Sequence, residues 1–243
     1  MKVLIVNNIH REGPGILRQI LEENLIEYTT HEFGKGKKTP NPDDYDAIFV
    51  FGGPDSANDK SKKMKEELIC VKEFLLNKVP YFGICLGLQV MVKALGGEVK
   101  RNPVKEIGWR DPNNEIFKVQ LTEKGSNDPI FKDLDSEFII FQLHGETVEL
   151  TSDMNLLGIG KYCKNQIVKY GNNAYGFQGH IELSKDMFYN WIIEDDNLKK
   201  LDYTSLDFDY KNLKIKYEEI GNRIFKNFLK IADFKIKKNI SNK

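Results

Sequence analysis

The chain has 243 residues, 40% apolar and 30% charged, and its 36 Lys and Arg balance its 36 Asp and Glu. That composition can build a real core and excludes a disordered chain. The zero formal net charge excludes a protein whose bulk field drives binding to nucleic acid or membrane.

Only Arg11, Arg18, Arg101, Arg110 and Arg223 offer planar guanidinium groups, so bidentate phosphate clamps are scarce. The longest uncharged stretch, between Lys78 and Lys93, falls short of the ~20 residues a membrane-spanning helix needs. The apolar run Val3–Val6 is too short for a signal peptide and no cleavage site follows it. Cys70, Cys85 and Cys163 are too widely spaced for a disulfide framework or a zinc site, so no metal is expected and a reducing, cytoplasmic setting is the default.

In chain order, Lys2–Val6 reads as a short buried strand. Gly13-Pro14-Gly15 then opens an amphipathic helix carrying Ile16, Leu17, Ile20 and Leu21. A second strand is expected near Ile26–Thr30 and a surface loop over 34–44. Ala47–Phe51 is an apolar strand stopped by Gly52-Gly53-Pro54, and Ser61–Leu76 has helical spacing. Val79–Ile84 is a further strand, followed at once by a helix from Leu86 to Leu95 that Gly96-Gly97 caps. Strands alternating with helices imply βαβ units and a mostly parallel sheet. From Glu98 to Tyr175 the pattern turns to short strands, at Ile116–Leu121, Phe138–Phe141, Leu156–Ile159, Gln166–Tyr170 and Ala174–Gln178, read as a meander on the sheet edge. Ser184 caps a helix to Glu194, Asp195–Tyr210 reads as acidic and irregular, and Lys211–Ile231 is an amphipathic helix. The last dozen residues are Lys-rich and expected to fray.

Gly83-Ile84-Cys85-Leu86-Gly87 is a G-x-C-x-G run at a strand-to-helix junction, the cysteine form of a nucleophile elbow. A sharp turn strains the nucleophile's backbone, and flanking glycines leave room for it. The sulfur then sits at a helix N-terminus, where partial positive charge favours thiolate, and the Leu86 N–H is placed to donate to an oxyanion. A buried structural cysteine with packing glycines is the competing reading. A cysteine nucleophile needs a histidine base and a group to orient it. Of the four histidines, His10 and His31 read as solvated surface residues. His180-Ile181-Glu182 follows a strand and can put imidazole and carboxylate at one strand end, Glu182 fixing the ring's tautomer. The Gly52-Gly53-Pro54 turn ends another strand, and the Gly53 N–H is a second oxyanion donor if the turn is more than a loop.

Together these residues resemble the class I (triad) glutamine amidotransferase family, and the stretch Glu106-Ile107-Gly108-Trp109 with the Trp191 helix is similar to its GMP-synthase-like, stand-alone branch. Four blocks occur in order: Gly52-Gly53-Pro54-x-Ser56, Gly83-Ile84-Cys85-Leu86-Gly87-Leu88-Gln89, His144-Gly145-Glu146, and Gly176-Phe177-Gln178-Gly179-His180-Ile181-Glu182. The resemblance implies a flavodoxin-like three-layer α/β sandwich over residues 1–194 and leaves 195–243 as a C-terminal helical extension. It implies that Cys85 forms a γ-glutamyl thioester, His180 shuttles protons, Glu182 orients His180, and the Gly53 and Leu86 N–H groups stabilise the oxyanion. Gln89, His144, Gly145 and Glu146 would hold the substrate's polar groups, although Gln89 and His144 also read as ordinary polar residues. Two positions depart from the family pattern: Gly179 where a large residue usually precedes the histidine, and Ile181 where proline usually follows it. The family often has Asp at the Glu146 position.

No G-x-x-x-x-G-K-[ST] loop is present, and the extension is far too short for an ATP-dependent domain. Three functions therefore stay open: a free-standing γ-glutamyl amide hydrolase or transferase acting without cofactors, a glutaminase subunit feeding ammonia to a separate synthetase such as GMP synthetase, and a non-catalytic regulatory member of the fold. The helix 211–231 packs either on its own domain or on a second subunit, through which an oligomer can form.

Overall fold

A computed structural model describes residues 1–237. Its elements in chain order are β1 (Lys2–Val6), α1 (Ile16–Glu23), β2 (Glu27–His31), β3 (Ala47–Val50), α2 (Lys62–Leu76), β4 (Tyr81–Ile84), α3 (Leu86–Ala94), β5 (Glu98–Gly108), β6 (Lys118–Leu121), α4 (Glu123–Ser126), β7 (Glu137–Ile139), β8 (Gln142–Glu149), β9 (Met154–Gly160), β10 (Ile167–Tyr170), β11 (Ala174–Phe177), α5 (Lys185–Glu194) and α6 (Tyr203–Ile231).

The two-residue period of a strand sets the layers. Val3 and Ile5 of β1 point to one side and pack with α1, α5 and α6, while Leu4 and Val6 point to the other and pack with α2 and α3. Between these helical layers lies a nine-stranded sheet in the order β2-β1-β3-β4-β11-β10-β9-β6-β7. The five strands from β2 to β11 are parallel, and the remaining four run antiparallel to their neighbours. This is the three-layer, flavodoxin-like α/β architecture that the resemblance implied, with the mostly parallel sheet expected from the alternating pattern.

The expected meander holds for β6, β7, β9 and β10, but two strands lie apart from it. β5 and β8 form a separate two-stranded antiparallel ribbon. Its signal is missing from the sequence because β5 exposes Glu98, Lys100, Arg101, Pro103 and Lys105 while its inward positions include the polar Asn102 and Glu106. Apolar alternation therefore never develops.

Asp195–Tyr210 is less irregular than its composition suggests, for α6 begins at Tyr203. The Asp202 side chain caps it by accepting from Ser205 N at 2.7 Å. Asp209 takes a bidentate guanidinium bond from Arg110, both contacts 2.7 Å, and Asp207 accepts from the Tyr189 hydroxyl at 2.7 Å. The acidic residues are thus consumed by neighbours. His31, expected in solvent, is buried against Phe33 in an edge-on ring contact with centroids 4.5 Å apart. Burial lowers its pKa.

Helix α6 packs on its own sheet. Phe228 sets its ring 5.1 Å from both Phe49 and Phe82, and Phe225 lies 5.3 Å from Phe82. Gly221 lets the helix touch backbone: a Cβ there would lie 2.2 Å from the Ile181 carbonyl oxygen. No helix among the described residues is long and apolar enough to cross a membrane. The Lys-rich end expected to fray lies, over 238–243, outside the described residues.

Removing the chain after Asp196 should bare the phenylalanine face of the sheet and yield aggregated or strongly destabilised protein. A melting temperature equal to full length would contradict the packing described. The milder Phe228→Ala change should cost about 3–5 kcal/mol in denaturant unfolding.

Candidate active site

Parallel strands in such a sheet present their carboxyl ends on one edge, where ligands bind. Four of those ends converge here, from β1 (Asn7, Asn8), β3 (Phe51-Gly52-Gly53), β4 (Cys85) and β11 (Gln178-Gly179-His180).

Cys85 sits between β4 and α3 with φ 52° and ψ −106°, in the left-handed region that costs a side-chain-bearing residue about 1–3 kcal/mol. Its N–H donates to the Phe177 carbonyl at 2.7 Å, which pins the strained residue to β11. The flanking glycines are steric necessities. A Cβ on Gly87 would lie 2.1 Å from the Val50 carbonyl oxygen, and one on Gly83 would lie 2.5 Å from the Gly87 carbonyl carbon. The Tyr81 hydroxyl donates to the Gly87 carbonyl at 2.7 Å and holds the first turn of α3. Around the sulfur stand the Leu143 carbonyl at 3.9 Å and the Gln178 side-chain amide at 3.7 Å.

His180 and Glu182 are fully buried. His180 Nδ1 lies 2.7 Å from Glu182 Oε1, and the ring stands edge-on to Trp191 with centroids 4.9 Å apart. Burial works to lower the imidazole pKa, yet the Glu182 charge and the Cys85 sulfur outweigh it and hold the ring well above the usual histidine range. Gly52 lies between Cys85 and His180: a Cβ there would be 3.4 Å from Cys85 Cβ and 3.3 Å from His180 Cε1.

Both departures in the histidine block have local explanations. The Ile181 N–H donates to Glu182 Oε2 at 2.9 Å, a bond proline could not make, so the second carboxylate oxygen is fixed as firmly as the first. A Cβ on Gly179 would lie 2.7 Å from Ile140 and 2.8 Å from the Gln142 side chain, which leaves no room for a large residue. The turn is braced from α6. The Tyr217 hydroxyl donates to the His180 carbonyl at 3.0 Å and accepts from the Leu183 N–H at 3.2 Å.

Gly53 and Leu86 lie next to each other: a Cβ on Gly53 would be 3.5 Å from Leu86 Cδ2. The Gly53 N–H has no acceptor among the described residues, and the Leu86 N–H is one of the unpaired donors of the first turn of α3. The Gly53 turn is held from behind by Asn8, whose Nδ2 donates to the Phe51 carbonyl at 3.3 Å and to Glu67 at 2.9 Å. Burial pushes the Glu67 carboxyl up to about 7. Gln89 is buried and its amide lies 3.4 Å from Gln178 Oε1. Glu146 reaches the Gly52-Gly53-Pro54 turn through Ser56, whose hydroxyl donates to its carboxylate at 3.0 Å. His144 is turned elsewhere: Nδ1 meets the Glu146 carbonyl at 2.9 Å and Nε2 lies 2.9 Å from Glu106. Gly145 lies beside the Lys105 chain.

Glu106, His144 and Cys163 form a second buried group, their ligand atoms all within 4.8 Å of one another, the spacing a metal ion would need. These side chains are tied to the protein, Glu106 by Gln166 at 2.9 Å and Cys163 by Thr147 at 3.2 Å. Burial pushes the Cys163 thiol up to about 12, and Cys163 lacks the left-handed backbone of Cys85. Sequence reasoning gave no role to Asn8 and Tyr217, and quoted Gln178 only as part of the histidine block. Their partners, Glu67, His180 and Cys85, lie 59, 37 and 93 residues away in sequence, so no local spacing marks the contacts.

A strained cysteine at a strand-to-helix turn facing a buried His–Glu pair, on a flavodoxin-like sheet, is the architecture of an amidotransferase. The family profile of class-I glutamine amidotransferases matches residues 15–199, and the chain belongs to that family. It is 33% identical over 150 residues to the glutamine amidotransferase-like protein YfeJ of Salmonella typhimurium, a segment covering 60% of each chain. It is 30% identical over 150 residues to the GMP synthase [glutamine-hydrolyzing] of Bacillus velezensis, 61% of this chain but 26% of that one. The chain thus spans less than two thirds of the length of these relatives. Among solved structures, a glutamine amidotransferase from Thermotoga maritima superposes with a TM-score of 0.84 at 26% identity, covering 96% of this chain and 98% of that one. A glutamine amidotransferase of Methylobacillus flagellatus shares the fold, with a TM-score of 0.84 at 22% identity over 100% and 98% of the two chains.

Tyr217→Phe removes one hydroxyl and leaves the Leu183 N–H without its acceptor. Denaturant unfolding should report a loss of about 1–3 kcal/mol. An unchanged midpoint would mean that the brace contributes nothing.

Proposed function

We propose that the protein hydrolyses the side-chain amide of glutamine, or of a related γ-glutamyl compound, through a thioester on Cys85. The observation that carries this reading is the strained backbone of Cys85 beside the His180–Glu182 pair. The Cys85 thiolate attacks the amide carbonyl carbon, and the oxygen becomes an oxyanion facing the Gly53 and Leu86 N–H groups. The C–N bond then breaks and the departing nitrogen takes a proton from the His180 imidazolium, leaving ammonia and a γ-glutamyl thioester. Water attacks the thioester while His180 accepts its proton. The C–S bond breaks, and glutamate and free Cys85 result. Glu182 holds the ring in orientation and stabilises its charged form. Gln89 and the segment His144-Gly145-Glu146 line the substrate's polar end, Glu146 as the acceptor for its amino group and His144 by fixing the Glu146 backbone.

A second reading is a glutaminase subunit whose ammonia goes to a separate synthetase. The GMP synthase [glutamine-hydrolyzing] of Bacillus velezensis, 30% identical over 150 residues, favours it. In either case the setting is cytoplasmic.

Ammonia and glutamate release from a panel of γ-glutamyl compounds tests the proposal. Wild type should turn over at least one and be labelled once, at Cys85, by a glutamine-analogue electrophile, while Cys85→Ala should do neither. Glu182→Gln should lower kcat by about 10²–10⁴-fold, the range for a lost acid–base partner. A low rate that rises on adding a synthetase and nucleotide would assign the subunit role, and a wild-type protein inert toward both panel and electrophile would defeat catalysis.

A further inference from the structure

The loop from Asn7 to Gly15 joins β1 to α1, yet its contacts lead to the histidine turn. The Trp191 indole donates to the Arg11 carbonyl at 2.8 Å, and that same indole carries the His180 ring. The first N–H of α1, at Ile16, donates to the Glu182 carbonyl at 2.8 Å, and Gly15 can carry no Cβ because it would lie 1.9 Å from that oxygen. Between these anchors sits Glu12, which is 4% exposed.

Its carboxyl points at the reacting centre. The point where a Gly52 side chain would begin lies 2.2 Å from Glu12 Oε2, 3.3 Å from His180 Cε1 and 3.4 Å from Cys85 Cβ. One small space, kept open by a missing side chain, is thus bordered by a carboxyl, the imidazole edge and the nucleophile's stem. Burying a carboxyl without close partners is costly. The nearest cation, Arg11, stands 3.9 Å away and gives its better bond, 2.9 Å, to Asp195.

We propose that Glu12 is a positioning residue for the His180 base, a second carboxyl whose charge stabilises the imidazolium and with it the reactive thiolate of Cys85. The proposal rests on the assignment of Cys85 and His180 as nucleophile and base. The charged groups facing Glu12 are His180 and Glu182 of the histidine turn, Arg11 of its own loop, and Asp195 beyond α5. Burial dominates this balance and raises the Glu12 carboxyl to about 7. Below that pH Glu12 is neutral and adds no field at the ring. Above it the carboxylate favours imidazolium, so thiolate reactivity should climb as pH rises through about 7.

Alkylation of Cys85 by iodoacetamide, followed on the intact full-length chain by mass spectrometry between about pH 5.5 and 8.5, reads this without any substrate. Wild type should react faster than a free thiol and gain a distinct rise near neutrality. Glu12→Gln should lose that rise and react about tenfold more slowly at pH 8. Glu12→Asp should restore part of it, and amide turnover should follow in kcat with KM nearly unchanged. A Glu12→Gln profile that overlays a fast wild type overturns the proposal and leaves the nucleophile assignment intact. A wild-type Cys85 no faster than a free thiol defeats both. Should Glu12→Gln not fold, the His180 imidazole resonances of the wild type answer the question: they should move in a step near pH 7, and the absence of that step overturns the role of Glu12.

Discussion

The site depends on one close approach: the backbone of Gly87, at the start of α3, lies against the carbonyl of Val50 at the end of β3, with Gly83 beneath it. No side chain fits between these surfaces. The contact lets α3 begin immediately after β4, which forces Cys85 through a left-handed conformation. It also makes Cys85 the residue that caps α3 and brings Leu86 beside Gly53. Strain of this kind persists only where the surroundings over-determine it. Here the N–H of Cys85 is held by β11, the carbonyl of Gly87 by Tyr81, and Gly176 makes room for Leu88.

Cys85 is positioned by neighbours in sequence, while His180 is positioned by parts of the chain far from it. Trp191 from α5 carries the His180 ring, α1 starts on the Glu182 carbonyl, and Tyr217 from α6 spans the turn. Where the family pattern has proline, the backbone N–H of Ile181 bonds the second oxygen of Glu182. Ring stiffness is thereby replaced by a hydrogen bond to the Glu182 carboxylate itself. The two solutions restrain the same turn by different means.

How much was legible in the sequence follows from this difference. β1, β3, β4 and the helices after them were readable because buried parallel strands are continuous apolar runs and their turns need Gly and Pro. The elbow was readable because its steric demand falls on two glycines within five residues. The ribbon of β5 and β8 was not, since its inward positions hold Asn102, Glu106 and His144, whose partners are backbone carbonyls and polar side chains, not apolar neighbours. The first two turns of α6 were hidden for a related reason. Asp207 and Asp209 look solvated until Tyr189 and Arg110 are placed beside them. Polar pairs formed across tens of residues leave no period to read.

The hydroxyl of Tyr217 has a consequence for how such a protein can change over time. The sequence block shared with the family ends at residue 199, whereas the atoms that keep the His180 turn in place continue to α6. What is inherited as a recognisable block and what must act as one physical unit therefore have different edges. A recombination that exchanged only the tail would preserve Cys85, His180 and Glu182 and still exchange the support of the His180 turn.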